Sequence, residues 1–445
     1  MMEKEIAVEK KLALSGVGGK RYDAYKDSGV EWLGEIPEHW EILPLFALTK
    51  LKSVINQVNL ELLSVYLDLG VIRFSDVVAK RTNVTSLDLS KYQLVEPGDF
   101  VLNNQQAWRG SVGISKHKGI VSPAYIVLSL SEKFNPDFAN YLFRDGTMVS
   151  QYLINSKGVG TIQRNLYWPS LRRSNITLPP LQEQTKIAQF LDDKTTKIDE
   201  AIAIKAQQIQ LLKERKQILI HKAVTQGLNP NETLKDSGVE WIGEIPVGWE
   251  VSKLGYLTDK IGDGLHGTPI YTDHTEYYFI NGNNLSTGNI EINEQTKTVS
   301  EREYHLNKKV LNSNTLLLSI NGTIGNIAFY CGEKVMLGKS AAYLNFYDSV
   351  NIKYVKWFMQ SLIFKNYYEL ELSGSTINNF SLYSIGKTPI ILPSSNEQKE
   401  IVDYLDLGTQ KIETAISLKQ QEIAKLKEYK SSLINGVVTG RVRVC

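Results

Sequence analysis

The chain has 445 residues, a formal net charge of +2, and is 42% hydrophobic and 22% charged. That length is too great for one ordinary core and calls for two or three domains of soluble, globular composition. No apolar run reaches the roughly 18 residues of a membrane span. The two cysteines, Cys331 and Cys445, supply neither a disulfide framework nor a four-ligand zinc site, so a reducing, cytoplasmic setting is expected.

The first twenty residues, MMEKEIAVEKKLALSGVGGK, hold a short apolar patch and no signal-peptide core. KDSGVEWLGEIPEHWE follows at Lys26–Glu41 and recurs as KDSGVEWIGEIPVGWE at Lys235–Glu250, differing only at Leu33/Ile242, Glu38/Val247 and His39/Gly248. Its tryptophans, Trp32/Trp241 and Trp40/Trp249, read as core anchors where a globular part meets a helix; a protein-docking surface is the alternative. A first globular stretch, 42–177, carries a buried strand at Gly98-Asp-Phe-Val-Leu-Asn that runs into a turn at Gly110-Ser-Val-Gly113. SPAYIVLSL (Ser122–Leu130) and a helical NPDFANYLF (Asn135–Phe143) come next, then Gly160-Thr-Ile-Gln163. From about Gln182 to Lys222 the spacing predicts one long helix, roughly 60 Å at 1.5 Å per residue. Its apolar stripe includes Ile187, Leu191, Ile198, Ile202, Ile209 and Leu212.

The second half repeats this order. After the second KDSGVEW segment, the stretch 251–391 carries Asn314-Thr-Leu-Leu-Leu-Ser, Gly322-Thr-Ile-Gly325, SAAYLNFYD, NIKYVKWFM and Ser375-Thr-Ile-Asn378, and a second long helix follows with Ile401, Leu405, Ile412, Ile416, Ile423 and Leu426 on its stripe. A helix of that length cannot bury its stripe alone, but two such stripes can bury each other as a coiled coil, and the topology favours antiparallel pairing. The expected domains are 1–41 (first repeat segment), 42–177 (first globular domain), 178–234 (central helix and linker), 235–391 (second repeat segment and globular domain) and 392–445 (C-terminal helix). The fold class is α/β (α+β): two similar mixed domains joined by two long antiparallel helices, with approximate two-fold symmetry and a circular-type repeat. KDSGVEW follows the first helix after the linker AVTQGLNPNETL, whereas after the second helix its counterpart is the copy at Lys26, so the two ends of the chain are expected to lie close together.

Duplicated domains on a fixed spacer suit a ligand that repeats along a line, and DNA half-sites about one helical turn, roughly 34 Å, apart are such a ligand. Residues 42–177 hold 15 Lys and Arg against 9 Asp and Glu, a net +6; residues 251–391 hold 12 of each. The first domain therefore suits a polyanion on charge alone. Asn, Gln and Arg form bidentate contacts with adenine and guanine edges, which makes Asn103, Asn104, Gln105, Arg109, Gln163 and Arg164 candidates in the first domain and Asn281, Asn283, Asn284, Asn321 and Asn378 candidates in the second. Turn chemistry is the competing reading for asparagines near glycine. Enzyme motifs are missing. Gly332–Ser340 has one residue too many for a phosphate loop, no strand-closing glycine loop suits a dinucleotide or S-adenosylmethionine, and no Asn/Asp-Pro-Pro-aromatic segment appears. His266 and His274 beside Asp263 and Asp273 read as a turn rather than a metal site, so no metal is assigned.

The repeated EIPxxWE, the strand leading to GTIG at Gly322–Gly325, the STIN at Ser375–Asn378 and the LPPLQEQ and LPSSNEQ leads into the long helices occur in order across nearly the whole chain. In this the chain resembles the specificity subunit of type I restriction-modification enzymes. The resemblance implies a non-catalytic DNA reader whose two target-recognition domains each read one half of a split, double-stranded sequence, with a coiled coil setting the gap. It also implies two modification (methyltransferase) subunits carrying S-adenosylmethionine, and restriction (translocase and nuclease) subunits using ATP and Mg, with no cofactor on this chain and no membrane contact. The first domain departs from the pattern, with GSVG for GTIG and GTIQRNLYW near the second motif. A coiled-coil scaffold that binds only protein, and a reader fused to an undetected nuclease or methyltransferase, are the alternatives.

Overall fold

A computed structural model describes residues 20–30, 33–76, 88–159, 163–286, 288–372 and 378–444. Trp32, Gly160–Ile162, Ser375–Ile377 and Cys445 lie outside them. The chain forms two compact units, Met1–Ala206 with Gln421–Cys445, and Gln207–Gln420. Each unit thus contains one globular part and a section of each long helix.

The two units repeat one design. In the first, a four-stranded antiparallel sheet runs Thr49–Lys52, Tyr125–Leu130, Phe100–Asn103, Val112–Ile114; in the second the order is Thr258–Asp263, Ala341–Phe346, Thr315–Ser319, Ile327–Phe329. The central strands read as unbroken apolar runs because both faces are covered: Phe100, Val101 and Leu102 are fully buried, as are Leu316, Leu317 and Leu318. Helix α1 (Pro136–Arg144) begins where Asn135 accepts hydrogen bonds from the backbone of Asp137 and Phe138. Helix α2 (Gly146–Ile154) follows it. Between α2 and the first long helix the chain forms the hairpin Ser156–Val159 with Gln163–Leu166. In the second unit Asn351 caps α4 (Ile352–Met359) in the same way, and α5 is Leu362–Glu371. The asparagine that opens each NPDFANYLF-type segment is therefore an N-cap, satisfying amides that the first helical turn leaves unpaired.

The long helices are α3 (Leu181–Gln226) and α6 (Ser395–Val438), of 46 and 44 residues. Within the first unit they pair antiparallel: Lys205 Nζ lies 2.6 Å from Glu422 and Lys430 Nζ 2.6 Å from Asp199, so rising numbers on one helix meet falling numbers on the other. The second unit does likewise, with Lys216 on Glu413 and Leu219 against Gly408, where a β-carbon would come within 2.9 Å of Leu219. On the stripe, Ile187, Leu191, Ile198, Ile209, Ile401, Leu405, Ile412 and Ile416 are buried, while Ile202, Leu212, Ile423 and Leu426 are half-buried.

The described residues of the doubled segment form the same joint twice. Tyr25–Asp27 pairs with Glu35–Pro37, and Leu234–Asp236 with Glu244–Pro246. Glu41–Pro44 then pairs with Asn175–Leu178, and Glu250–Lys253 with Pro389–Leu392, the strands that lead into α3 and α6. Trp40 and Trp249 are almost wholly buried, and each indole N–H donates to a glutamate in the first turn of the adjoining long helix: Trp40 to Glu183 at 3.2 Å, Trp249 to Glu397 at 2.9 Å. A buried indole N–H needs such a partner. The far ends of the long helices close on the same tryptophans. Gly227 after α3 has φ +75° and packs on Trp249; Gly440 after α6 has φ +76° and packs on Pro37 and Trp40. Both are left-handed helix ends where a side chain would be strained, and at Gly440 it would also collide with Pro37. In the first unit the segment after α6 meets Lys20, the first described residue: Arg443 N donates to Lys20 O at 2.7 Å, and its guanidinium pairs with Asp23 at 3.1 Å.

Burial pushes the Glu397 carboxyl up, but hydrogen bonds from Ser394 and Trp249 outweigh it and hold its pKa below the usual glutamate value. A depressed carboxylate contributes stability above its unfolded pKa and loses it as pH falls through the folded value. Trp249→Phe removes one donor from a partly solvated carboxylate and is expected to destabilise by about 1–2 kcal/mol at neutral pH. In denaturant titrations the gap between variant and wild type should narrow on acidification below the glutamate range.

Candidate nucleic-acid interface

In the first unit the candidate residues lie on the loop that leaves the central strand. Asn103 ends the strand and its Oδ1 accepts Gln105 N at 3.1 Å, a side-chain turn that brings the chain round. One turn of 3₁₀ helix, Ala107–Arg109, buries Ala107 and ends at Gly110 with φ +100°. Gln105 and Arg109 are exposed. Trp108 Nε1 donates to Gln105 O at 3.0 Å, and the Arg109 guanidinium lies 4.6 Å from the Trp108 ring centre. A guanidinium over a ring keeps donors available, an arrangement that suits guanine or phosphate. Asn104 is half-buried, and its Oδ1 has no hydrogen-bond partner among the described residues.

A backbone bond joins this loop to the Ser156–Leu166 hairpin: Leu166 N donates to Asn104 O at 3.0 Å. That brings Arg164, half-buried on the hairpin, near the loop; the side chain of Gln163 lies outside the described residues. The hairpin also places Lys157 Nζ 3.6 Å from the ring centre of the exposed Tyr167. Neither residue is apparent from spacing, because the register of the hairpin depends on the length of its connecting loop.

The second unit builds the corresponding corner differently. Phe380 N donates to Ile320 O at 3.0 Å, matching the Leu166–Asn104 bond. The turn after the strand is Asn321–Gly325, with Gly322 at φ +73° and Gly325 at φ +94°. Asn321 forms a bridge with Asn379, next to the exposed Asn378. The Gly282–Asn284 turn abuts the same strand end, since any side chain on Gly282 would collide with Ser319. Two of its asparagines are committed within the fold. Asn281 Oδ1 accepts from Ser340 Oγ at 3.0 Å, Asn281 N donates to Asn284 Oδ1 at 3.0 Å, and Asn284 Nδ2 donates to Glu291 O at 3.2 Å. Asn283 is the exposed member. The structure thus gathers Asn283, Asn321 and Asn378 around one strand end and uses Asn281 and Asn284 to shape the turn.

The other motifs resolve as ordinary structure. Gly332–Ser340 contains the strand Val335–Leu337, paired parallel to Tyr278–Ile280. His266 Nε2 lies 2.7 Å from Asp263, and His274, at φ +58°, sits in a turn. Among the described residues no three His, Cys, Asp or Glu side chains cluster as a metal site, and no helix is long and apolar enough to cross a membrane.

A profile of the type I restriction modification DNA specificity domain matches residues 68–214 and 246–428. The chain is similar to the type I restriction enzyme MjaVIII specificity subunit of Methanocaldococcus jannaschii, with 26% identity over 92% of this chain and 94% of the relative. It is also similar to the type I restriction enzyme StySPI specificity subunit of Salmonella potsdam, at 23% over 88% and 89%. Among solved structures, a chain from work on complex assembly and conformational transition of the type I R-M system superposes with a TM-score of 0.67 at 18% identity, covering 91% of this chain and 98% of that one. The HsdS subunit of Thermoanaerobacter tengcongensis gives 0.50 at 17%, covering 92% and 98%. With the match spanning most of both globular parts and of both long helices, the chain belongs to the type I restriction modification DNA specificity family, as a DNA target-recognition subunit with two such domains.

Proposed function

We propose that the chain reads a split DNA sequence, one half through the corner around Asn103–Arg109 and Arg164, the other through the corner around Asn283, Asn321 and Asn378. The observation that carries this is the repetition of one sheet order in both units with a different polar turn on the same strand end. A shared frame with altered reading residues is what two half-sites of different sequence require. The paired long helices then set the gap between the halves. Two modification subunits dock on the paired long helices and bring S-adenosylmethionine; restriction subunits bring ATP and Mg, and the chain itself performs no chemistry. The complex works in the cytoplasm. A scaffold that binds only protein gives no reason for a net +6 on residues 42–177.

Replacing residues 251–391 by the corresponding domain of another family member tests the reading. One half of the recognised sequence is expected to change while the other half and the gap stay; a change in both halves contradicts it. Arg109→Ala is expected to weaken binding of the full chain, in its complex, to its target by about 1–3 kcal/mol. If Arg109 reads a base, discrimination at one position falls; if it holds a phosphate, affinity drops for all sequences and the slope of log K against log salt becomes shallower by about one. Titration at several salt concentrations separates the two.

A further inference from the structure

The loop Asn103–Arg109 is held between two supports that meet at one elbow. A β-carbon on Gly110 would lie 3.4 Å from Val149 on one side and 3.5 Å from Leu67 on the other. Leu67 belongs to the turn between strands Leu63–Tyr66 and Gly70–Arg73. That hairpin also accepts Ser111 Oγ on Val65 O at 2.7 Å, and its Gly70 approaches Gly113 so closely that a β-carbon there would lie 3.1 Å from the Gly70 Cα. Val149 belongs to α2, which packs against the Ala107–Arg109 turn.

Arg144 and Asp145, consecutive at the junction of α1 and α2, hold one support each. Arg144 Nη2 donates to Leu67 O at 3.2 Å and Asp68 O at 2.7 Å, clamping the hairpin turn. Asp145 is buried; it ends α1 and caps α2, its Oδ2 accepting Thr147 N at 2.9 Å and the Thr147 hydroxyl. The same Oδ2 accepts a third bond at 2.9 Å, from Asn435 Nδ2 on α6, whose own Oδ1 accepts Arg441 Nη1 at 3.3 Å. A buried carboxylate depends on its donors, so losing one shifts the group it caps. The second unit lacks this arrangement. Gln360 and Ser361 occupy the elbow positions, and the residue of α3 in register with Asn435 is His221, whose Nδ1 is buried with no hydrogen-bond partner among the described residues.

We infer that Arg144 and Asp145, fixed to the long helix by Asn435, are positioning residues for base recognition by the first unit alone: they set the spacing of the two supports and hence the pose of Asn103–Arg109. The inference rests on the proposed reading of DNA by that loop. It makes fidelity in one half-site depend on a contact from α6 to the elbow beneath the loop, with no contact by these three residues to the DNA.

The test uses the full chain in its own complex, in cells carrying wild type, Asn435→Ala, Asn435→Asp, Arg144→Met, or the exchange Asp145→Asn with Asn435→Asp. Genome-wide adenine methylation is scored at sites with one wrong base in either half. The single variants are expected to raise methylation of sites wrong in one half by about three- to tenfold relative to correct sites, the effect of one weakened charge-assisted bond. That half is the one left unchanged when residues 251–391 are replaced. Discrimination in the other half should not move, and the exchange should restore wild-type behaviour by reversing donor and acceptor. Equal loss in both halves marks a general folding defect and overturns the inference, as does unaltered discrimination. A wild-type strain without any split motif removes the reading on which the inference stands, and the inference with it.

Discussion

The structure depends on a hydrogen bond made twice, from a buried tryptophan indole to a glutamate in the first turn of a long helix. An indole carries a large apolar area and one N–H that must be satisfied when buried. Placing that acceptor on the helix fixes the EIPxxWE segment to it. The strand after the segment then pairs with the strand that enters the same helix, so each globular part is tied to its helix by backbone ladder and side chain together. The left-handed glycines at 227 and 440 bring the far end of the other long helix against the same indole. The EIP strand and the tryptophan shared by the two copies are therefore parts of this joint.

The joints are not identical. Glu183 takes Tyr22 Oη at 2.5 Å and lies 2.8 Å from His39 Nε2 as well as receiving Trp40, whereas Glu397 takes the backbone and hydroxyl of Ser394 in addition to Trp249. The differences His39/Gly248 and Pro180/Ser394 thus exchange donors around one carboxylate and keep it supplied. A pair of joints that tolerates such exchange keeps the frame constant while the loops between vary, which is what a reader with replaceable recognition loops needs.

Much of the fold was legible because it follows from periods and caps. The apolar stripes of the long helices, the continuous Phe100–Leu102 and Leu316–Leu318 strands and the helical NPDFANYLF and NIKYVKWFM segments all leave short-range marks. The candidate surface was legible in place more than in detail. Residue type made five asparagines of the second domain candidates, yet Asn281 and Asn284 spend their side chains inside the fold, a competition between turn and ligand that only three-dimensional partners decide. Lys157, Tyr167, Arg144 and Asp145 carried no signal, because their roles come from hairpin register and from contacts across long sequence separations. The division of each long helix between two compact units was equally hidden, since a helical stripe continues through position 206 without a break.

The central claim is that two domains on one chain read a single split sequence. The most direct measurement is a map of methylated adenines in the source genome with this gene present and with it deleted. The account predicts that one motif, two short specific halves around a fixed gap, loses methylation on deletion. If every methylated motif persists unchanged in a cell whose modification subunits are active, the chain is not the reader described here.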